Sequence, residues 1–194
     1  MLAFAWTLAF HLAVAQEPAP DALMKQISAE VVASIREDKA IQTGDAARIG
    51  ALVEAKILPH FDFRRTTQIA MGPHWRRATP QQQEILTREF RTLLVRTYSG
   101  ALSGYRDQVI EFKPLRIAPG DTEVTVRSVV KQSGAEPVVI EYDMAKTASG
   151  WKVFDVRIAG ISLAATYRSA FADEVRNNGV DGLIALLSSK NRKS

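Results

Sequence analysis

Few side chains in this sequence could do acid–base or metal chemistry. There are three histidines, at His11, His60 and His74. His60 and Asp62 stand two apart in "LPHFDF" and could reach one cation. No third ligand is evident beside them, and the spacing matches no zinc pattern. A histidine beside a turn is far more often a surface residue. Asp143 and Asp155 lie in segments that alternate like neighbouring strands, with Tyr142 next to the first. If those strands pair, the two carboxylates could share acid–base work. The alternative is that Asp155 meets Arg157 or Arg127, or points to water. Cysteine is absent, which excludes thiol catalysis, cysteine-held metals and disulfides. No G-x-S-x-G, P-loop or dinucleotide-binding glycine pattern occurs.

A different chemistry is written in the apolar stripes. Tyr98, Tyr105, Tyr142 and Tyr167 each sit within an otherwise apolar series. A buried tyrosine needs a partner for its hydroxyl, and the mouth of a chamber supplies one. Phe90, Leu94, Leu102 and Leu163 accompany them on helical segments, and Val126, Val139, Phe154 and Val156 on strands. These residues either fill a core or line a chamber. Gly160, in "AGISL", lets the chain fold back without a side chain in the way, and Ile161 follows it.

The elements that must position these residues follow from periodicity. Leu23, Ile27, Val31 and Ile35 recur every four residues, as do Ile49, Leu52, Val53 and Ile57 in a second helix stopped by Pro59. Residues 61–71 read as a short helix or turn around Phe61 and Phe63. In "ATPQQQEILTREF", Thr79 can cap, Pro80 suits the first helical position, and Gln82 completes a capping box. The apolar stripe of that helix runs from Leu86 to Tyr105. The period then changes to two over 109–117, 124–130, 138–144 and 151–158, with short turn-forming stretches between. Helices at 162–177 and 180–189 follow. The order predicts an α+β fold: a curved four-stranded antiparallel sheet wrapped by N-terminal and C-terminal helices.

Residues 1–15, "MLAFAWTLAFHLAVA", are uncharged and apolar and end in Ala13-Val14-Ala15. They read as a cleaved signal peptide, too short to span a bilayer. Residues 16–21 are then a flexible mature N-terminus, 22–190 one domain, and 191–194 a basic tail. The formal net charge is +4, with basic residues dispersed. This suits anionic membrane surfaces or acidic partners, or serves solubility. Nucleic acid is not expected for an exported chain without a binding motif.

Two stretches, "FDFRRTTQIAMGPHWRRATPQQQEILTREFRTLLVRTYSGAL" and "GWKVFDVRIAGISLAATYRSAF", resemble the MlaC, or toluene-tolerance, family of periplasmic phospholipid carriers. The shared signature falls on Phe61-Asp62-Phe63, Gly72, Trp75-Arg76, Phe90, Tyr98, Trp151, Asp155-Val156, Gly160-Ile161-Ser162-Leu163 and Tyr167-Arg168. The resemblance runs from about 20 to 190. Histidine is less usual before the tryptophan, where this chain has His74.

The resemblance implies a cone-shaped fold related to nuclear transport factor 2 and a monomeric, non-enzymatic carrier with phospholipid as cargo and no other cofactor. Implied partners are an outer-membrane lipoprotein–porin complex and the substrate-binding protein of an inner-membrane ABC transporter. A branch of the family is linked with hopanoid synthesis, and an isomerase or hydratase on the same scaffold is the rival reading. On the carrier reading, Phe90, Leu94, Tyr98, Leu102, Tyr105, Val126, Val139, Tyr142, Phe154, Val156, Ile161, Leu163 and Tyr167 line the lipid chamber. Each acyl methylene left in water costs about 0.8 kcal/mol, so a tail of ~14 needs roughly 11 kcal/mol of shelter. The tails must be enclosed and the phosphate left at the mouth. The "GALSG" stretch, 100–104, is either a hinge or a helix end.

Overall fold

The helical layer starts where proline is tolerated. In the computed structural model, which describes residues 18–193, α1 spans Pro20–Glu37 with its proline in the first turn. The expected signal peptide, 1–15, lies outside the described residues. Met24, Ile27, Val31 and Ile35 form the buried stripe of α1. Asp38 caps the one-turn α2, Lys39–Gln42, and Asp45 caps α3, Ala46–Lys56, each carboxylate accepting two backbone N–H groups. The buried face of α3 is Ile49, Leu52 and Val53. A 3₁₀ turn over Leu58–His60 delivers Phe61 to the sheet, and Asp62 caps α4, Phe63–Met71. The Thr79–Gln82 capping box forms at the start of α5, Pro80–Tyr98. A 3₁₀ segment, Ser99–Gly104, continues it.

Five antiparallel strands follow: β1 Val109–Phe112, β2 Glu123–Lys131, β3 Val138–Thr147, β4 Gly150–Ile158 and β5 Ile161–Ser162, in the order β1-β2-β3-β4-β5. The first is shorter than the alternation suggested, because Pro114 cannot donate to the ladder. The fifth corrects the expectation of four strands. Ala159 and Gly160 both take positive φ, 50° and 81°, and Ile158 pairs with Ile161. They form the two-residue hairpin turn whose twist matches the strands. The glycine therefore turns a hairpin instead of feeding directly into a helix.

The register shifts between β3 and β4, where Asp143 pairs with Asp155 but Met144 with Val153. Phe154 is the extra residue, and such a bulge bends the sheet. The edge of β4 is covered by the start of α4: the Asp62 N–H donates to the Val153 carbonyl (2.8 Å) and the Thr66 hydroxyl to that of Phe154 (2.8 Å).

After a 3₁₀ turn at Ala165–Tyr167, α6 runs Arg168–Lys193, broken at Gly179 (φ 72°, ψ −178°). Asn191, the first residue of the expected basic tail, is inside this helix and donates to the Glu89 carbonyl on α5 (3.0 Å). Two cores result. One joins α1 and α3 to Val126, Met144, Trp151 and Val153 of the sheet. The other joins α4, α5 and α6 around Leu86, Phe90, Phe171, Leu183 and Leu187.

Candidate functional site

Between these packed layers, the described residues form two half-open apolar cavities. The first, about 180 Å³, lies between α3, α5 and β4, with Val53, Phe63, Leu94, Tyr98, Val156 and Leu163 in its wall. The second, about 200 Å³, lies between α1 and the sheet, against Met24, Ile27, Val31, Tyr105, Tyr142 and Val153. Ile57, Phe61 and Leu102 line both. The two are neighbouring chambers with a shared wall.

Local structure explains how the wall is built. The end of α3 and the 3₁₀ turn after it hold Ile57, and Phe61 is pinned by its parallel bridge to Val153. Leu102 comes from the 3₁₀ continuation of α5, whose final carbonyl bond is made by Tyr105 N–H to the Leu102 oxygen (3.2 Å).

Some of the polar groups at the cavities are occupied by the protein itself. The Thr66 hydroxyl donates to the backbone. The Asp155 carboxylate, 7% exposed, accepts the N–H groups of Val156 (2.9 Å) and Ala164 (3.4 Å). It thereby ties β4 to the corner after β5. Asp155 makes no hydrogen bond or ion pair with Arg157 or Arg127, and at 7% exposure it does not point to water, the alternatives the sequence allowed. Asp143, its cross-strand partner, accepts from Thr125 (2.7 Å) and is paired with Arg157. Glu141 bridges Arg157 (2.9 Å) and Arg127 (2.7 Å). The two aspartates are thus committed separately, one to backbone and one to a guanidinium. Asp62 is spent capping α4, and partial burial, with Lys152 nearby, lowers the His60 pKa and favours its neutral form. Among the described residues, no three histidine or carboxylate side chains converge to hold a metal.

The tyrosines differ from one another. Burial first, then the neighbouring Tyr167, raises the Tyr98 phenol's pKa. Burial raises that of Tyr142, against a smaller opposing pull from the Ser128 hydroxyl. The Tyr105 hydroxyl donates to the Gln108 carbonyl (2.7 Å) and faces Arg36 Nη2 at 3.4 Å.

Of the residues singled out in the sequence, Leu94, Tyr98, Leu102, Val156 and Leu163 meet around the first cavity, and Leu102, Tyr105 and Tyr142 around the second. The others stand apart. Phe90 is fully buried in the helical core, edge-on to Tyr167 (5.0 Å) and Phe171 (5.1 Å). Tyr167 belongs to that core beside Tyr98. Val126 is fully buried in the sheet core. Phe154, the bulge residue, lies beneath the Arg65 guanidinium (3.6 Å to the ring centre). Val139 (42% exposed) shares a strand face with Glu141 and Asp143, and Ile161 (61%) follows the hairpin turn.

Sequence reasoning missed the contribution of α1 and α3. Met24, Ile27, Val31, Val53 and Ile57 carry the same periodic signal as core residues, and only Phe61 and Phe63 had a motif to mark them. No helix among the described residues is long and apolar enough to cross a membrane.

This architecture has relatives. A solved structure of a phospholipid-binding protein from Ralstonia solanacearum, in complex with a phospholipid, is 42% identical, with a TM-score of 0.82 over 91% of this chain and 98% of that one. The intermembrane phospholipid transport system binding protein MlaC of Haemophilus influenzae is 23% identical over 171 residues, 87% of this chain and 80% of the relative. The toluene tolerance protein Ttg2D of Pseudomonas putida is 30% identical over 106 residues, 55% of this chain and 49% of the relative. The MlaC protein family model matches residues 25–189, so the chain belongs to the MlaC family.

Proposed function

We propose that this protein is a periplasmic phospholipid carrier that hides acyl tails in its two cavities and leaves the headgroup in water. The observation that carries this reading is the pair of chambers divided by Ile57, Phe61 and Leu102. Their walls are mostly hydrocarbon, and Thr66, Asp155 and Tyr105 among their polar groups are bonded within the protein. An enclosed apolar cavity of about 150 Å³ already accepts benzene; these two, half-open, are of comparable size and lie side by side. The Ralstonia relative, solved with a phospholipid, supports the same cargo.

Sheltering the tails is the function's energetic requirement. Each buried methylene contributes about 0.8 kcal/mol, so two tails far outweigh any contact available to an exposed headgroup. Full-length tails need more room than these cavities hold, so loading widens the space between α1, α3, α5 and the sheet. Leu102, in the stretch first read as a hinge or a helix end, is placed to move with that opening. The carrier works as an exported monomer, taking lipid from and giving it to an outer-membrane lipoprotein–porin complex and the substrate-binding protein of an inner-membrane ABC transporter. The isomerase or hydratase reading loses its acid–base pair, since Asp143 is held by Arg157 and Thr125.

The test is organic extraction of protein purified without detergent, followed by mass spectrometry. Phospholipid at about one molecule per chain is expected. Lipid-free protein that also fails to load from vesicles refutes the carrier reading.

A further inference from the structure

Resting on the carrier reading, we infer that the phosphate of the bound lipid docks on the Arg36 guanidinium, beside the Tyr105 ring, in the groove between α1 and β1. The two cavities differ in what lies beyond them. The second runs into an open groove of about 310 Å³, with Ser28, Val32, Tyr105 and Ile110 lining both spaces. Lys25 and Arg36 of α1 lie along that groove. The first cavity has no cationic side chain in its lining and one carboxylate, that of Asp155. An anion joined to tails in the second cavity therefore finds cations in the adjoining groove, whereas the lining of the first offers none.

The groove also distinguishes between its cations. Lys25 and Arg36 are eleven residues apart, roughly 16 Å along a helix, so one phosphate cannot sit close against both. Arg36 holds the better position. Its Nη2 lies 3.4 Å from the Tyr105 hydroxyl, and its guanidinium stands 5.7 Å from the Tyr105 ring centre. The Tyr105 ring belongs to cavity and groove alike, so a phosphate beside it is one glycerol away from the buried tails. Among the described residues, Arg36 makes no ion pair with a carboxylate, and its planar fork suits a phosphate. Helix C-terminal carbonyls normally disfavour an anion. Here the Ile35 and Arg36 carbonyls are covered by the Gln42 side-chain amide (2.9 and 3.1 Å).

The test separates the phosphate from the tails. Delipidated protein is loaded from detergent micelles holding equal amounts of dipalmitoyl phosphatidic acid and dipalmitoylglycerol, and bound lipid is counted by mass spectrometry. The two lipids share their tails and differ by the phosphate. The protein should prefer phosphatidic acid. Arg36→Gln should lower that preference about tenfold, the size of one charge-assisted hydrogen bond, while still binding dipalmitoylglycerol. Arg36→Lys should retain most of it, and Lys25→Gln should lose much less than Arg36→Gln. Neutralising Arg77, which does not line the groove, by glutamine should leave the preference as it was. An unchanged preference in Arg36→Gln overturns the inference, and so does loss of both lipids together, which would place Arg36 in the fold or the tail site. A wild-type protein that takes neither lipid refutes the carrier reading instead.

Discussion

Placing a carboxylate in the first cavity by Leu163→Asp makes lipid binding depend on pH in a calculable way. Leu163 lines that cavity, and its backbone N–H donates to the Val156 carbonyl (2.9 Å), an anchor the substitution leaves in place. Without lipid, water entering the opened cavity hydrates the new side chain, so the fold should survive. With a tail in place, the carboxylate must be dried, and taking up a proton is the cheaper course. From an ordinary pKa of about 3.9, protonation at pH 7 costs about 4 kcal/mol, a loss of roughly a thousandfold in affinity. At pH 5 the cost falls to about 1.5 kcal/mol, or roughly tenfold. Affinity should therefore recover by nearly tenfold per pH unit as the solution is acidified. Leu163→Asn carries the loss of apolar contact without the titration, and its ratio to wild type should be flat. The assay is displacement of a fluorescent phospholipid at pH 5, 6 and 7, with circular dichroism to confirm helix content. An Asp variant that binds like wild type at pH 7, or that parallels the Asn variant at every pH, refutes the claim that Leu163 faces a dry tail site.

Phe90→Ala removes a fully buried ring packed on Tyr167 and Phe171. It should cost about 3–5 kcal/mol in urea unfolding while the folded fraction still carries lipid, because Phe90 lines neither cavity. Ala159→Asn places a residue that tolerates positive φ where alanine sits at 50°. It should stabilise by about 0.5–1 kcal/mol, read as a melting-temperature rise of about 2 °C. The lowered His60 pKa, caused first by burial and then by Lys152, means the unfolded chain takes up that proton before the folded one does. Stability should accordingly fall as pH drops below about 6.5, and His60→Gln should flatten that part of a urea-midpoint profile measured between pH 5 and 7.

The elements of this fold are legible in the sequence because their signals are local. The Thr79–Gln82 capping box, the proline entry at Pro80, and the two-residue alternation from Val124 onward each depend on residues within a turn or a strand of one another, whereas Pro20, expected in a flexible N-terminus, opens α1. β5 was not legible. Its turn begins with Ala159, which has no preference for positive φ and takes it only because β4 and the Asp155-held corner constrain both ends. The register shift that sets Phe154 outside the ladder is likewise a property of two strands together.

The candidate site divides in the same way. From residue types alone come an apolar interior and tyrosines within it; that Asp143 and Asp155 are held by separate partners is known only from the structure. Which apolar residues meet a void is decided by tertiary packing. Phe90 and Leu94 lie one turn apart on α5, yet the first is closed into the core with α6 and the second faces the chamber toward α3. Hydrophobicity is identical information in both cases, since burial against a neighbour and burial against an empty space remove the same surface from bulk water. Only the distances between helices and sheet, set by every contact at once, determine where the interior is left unfilled.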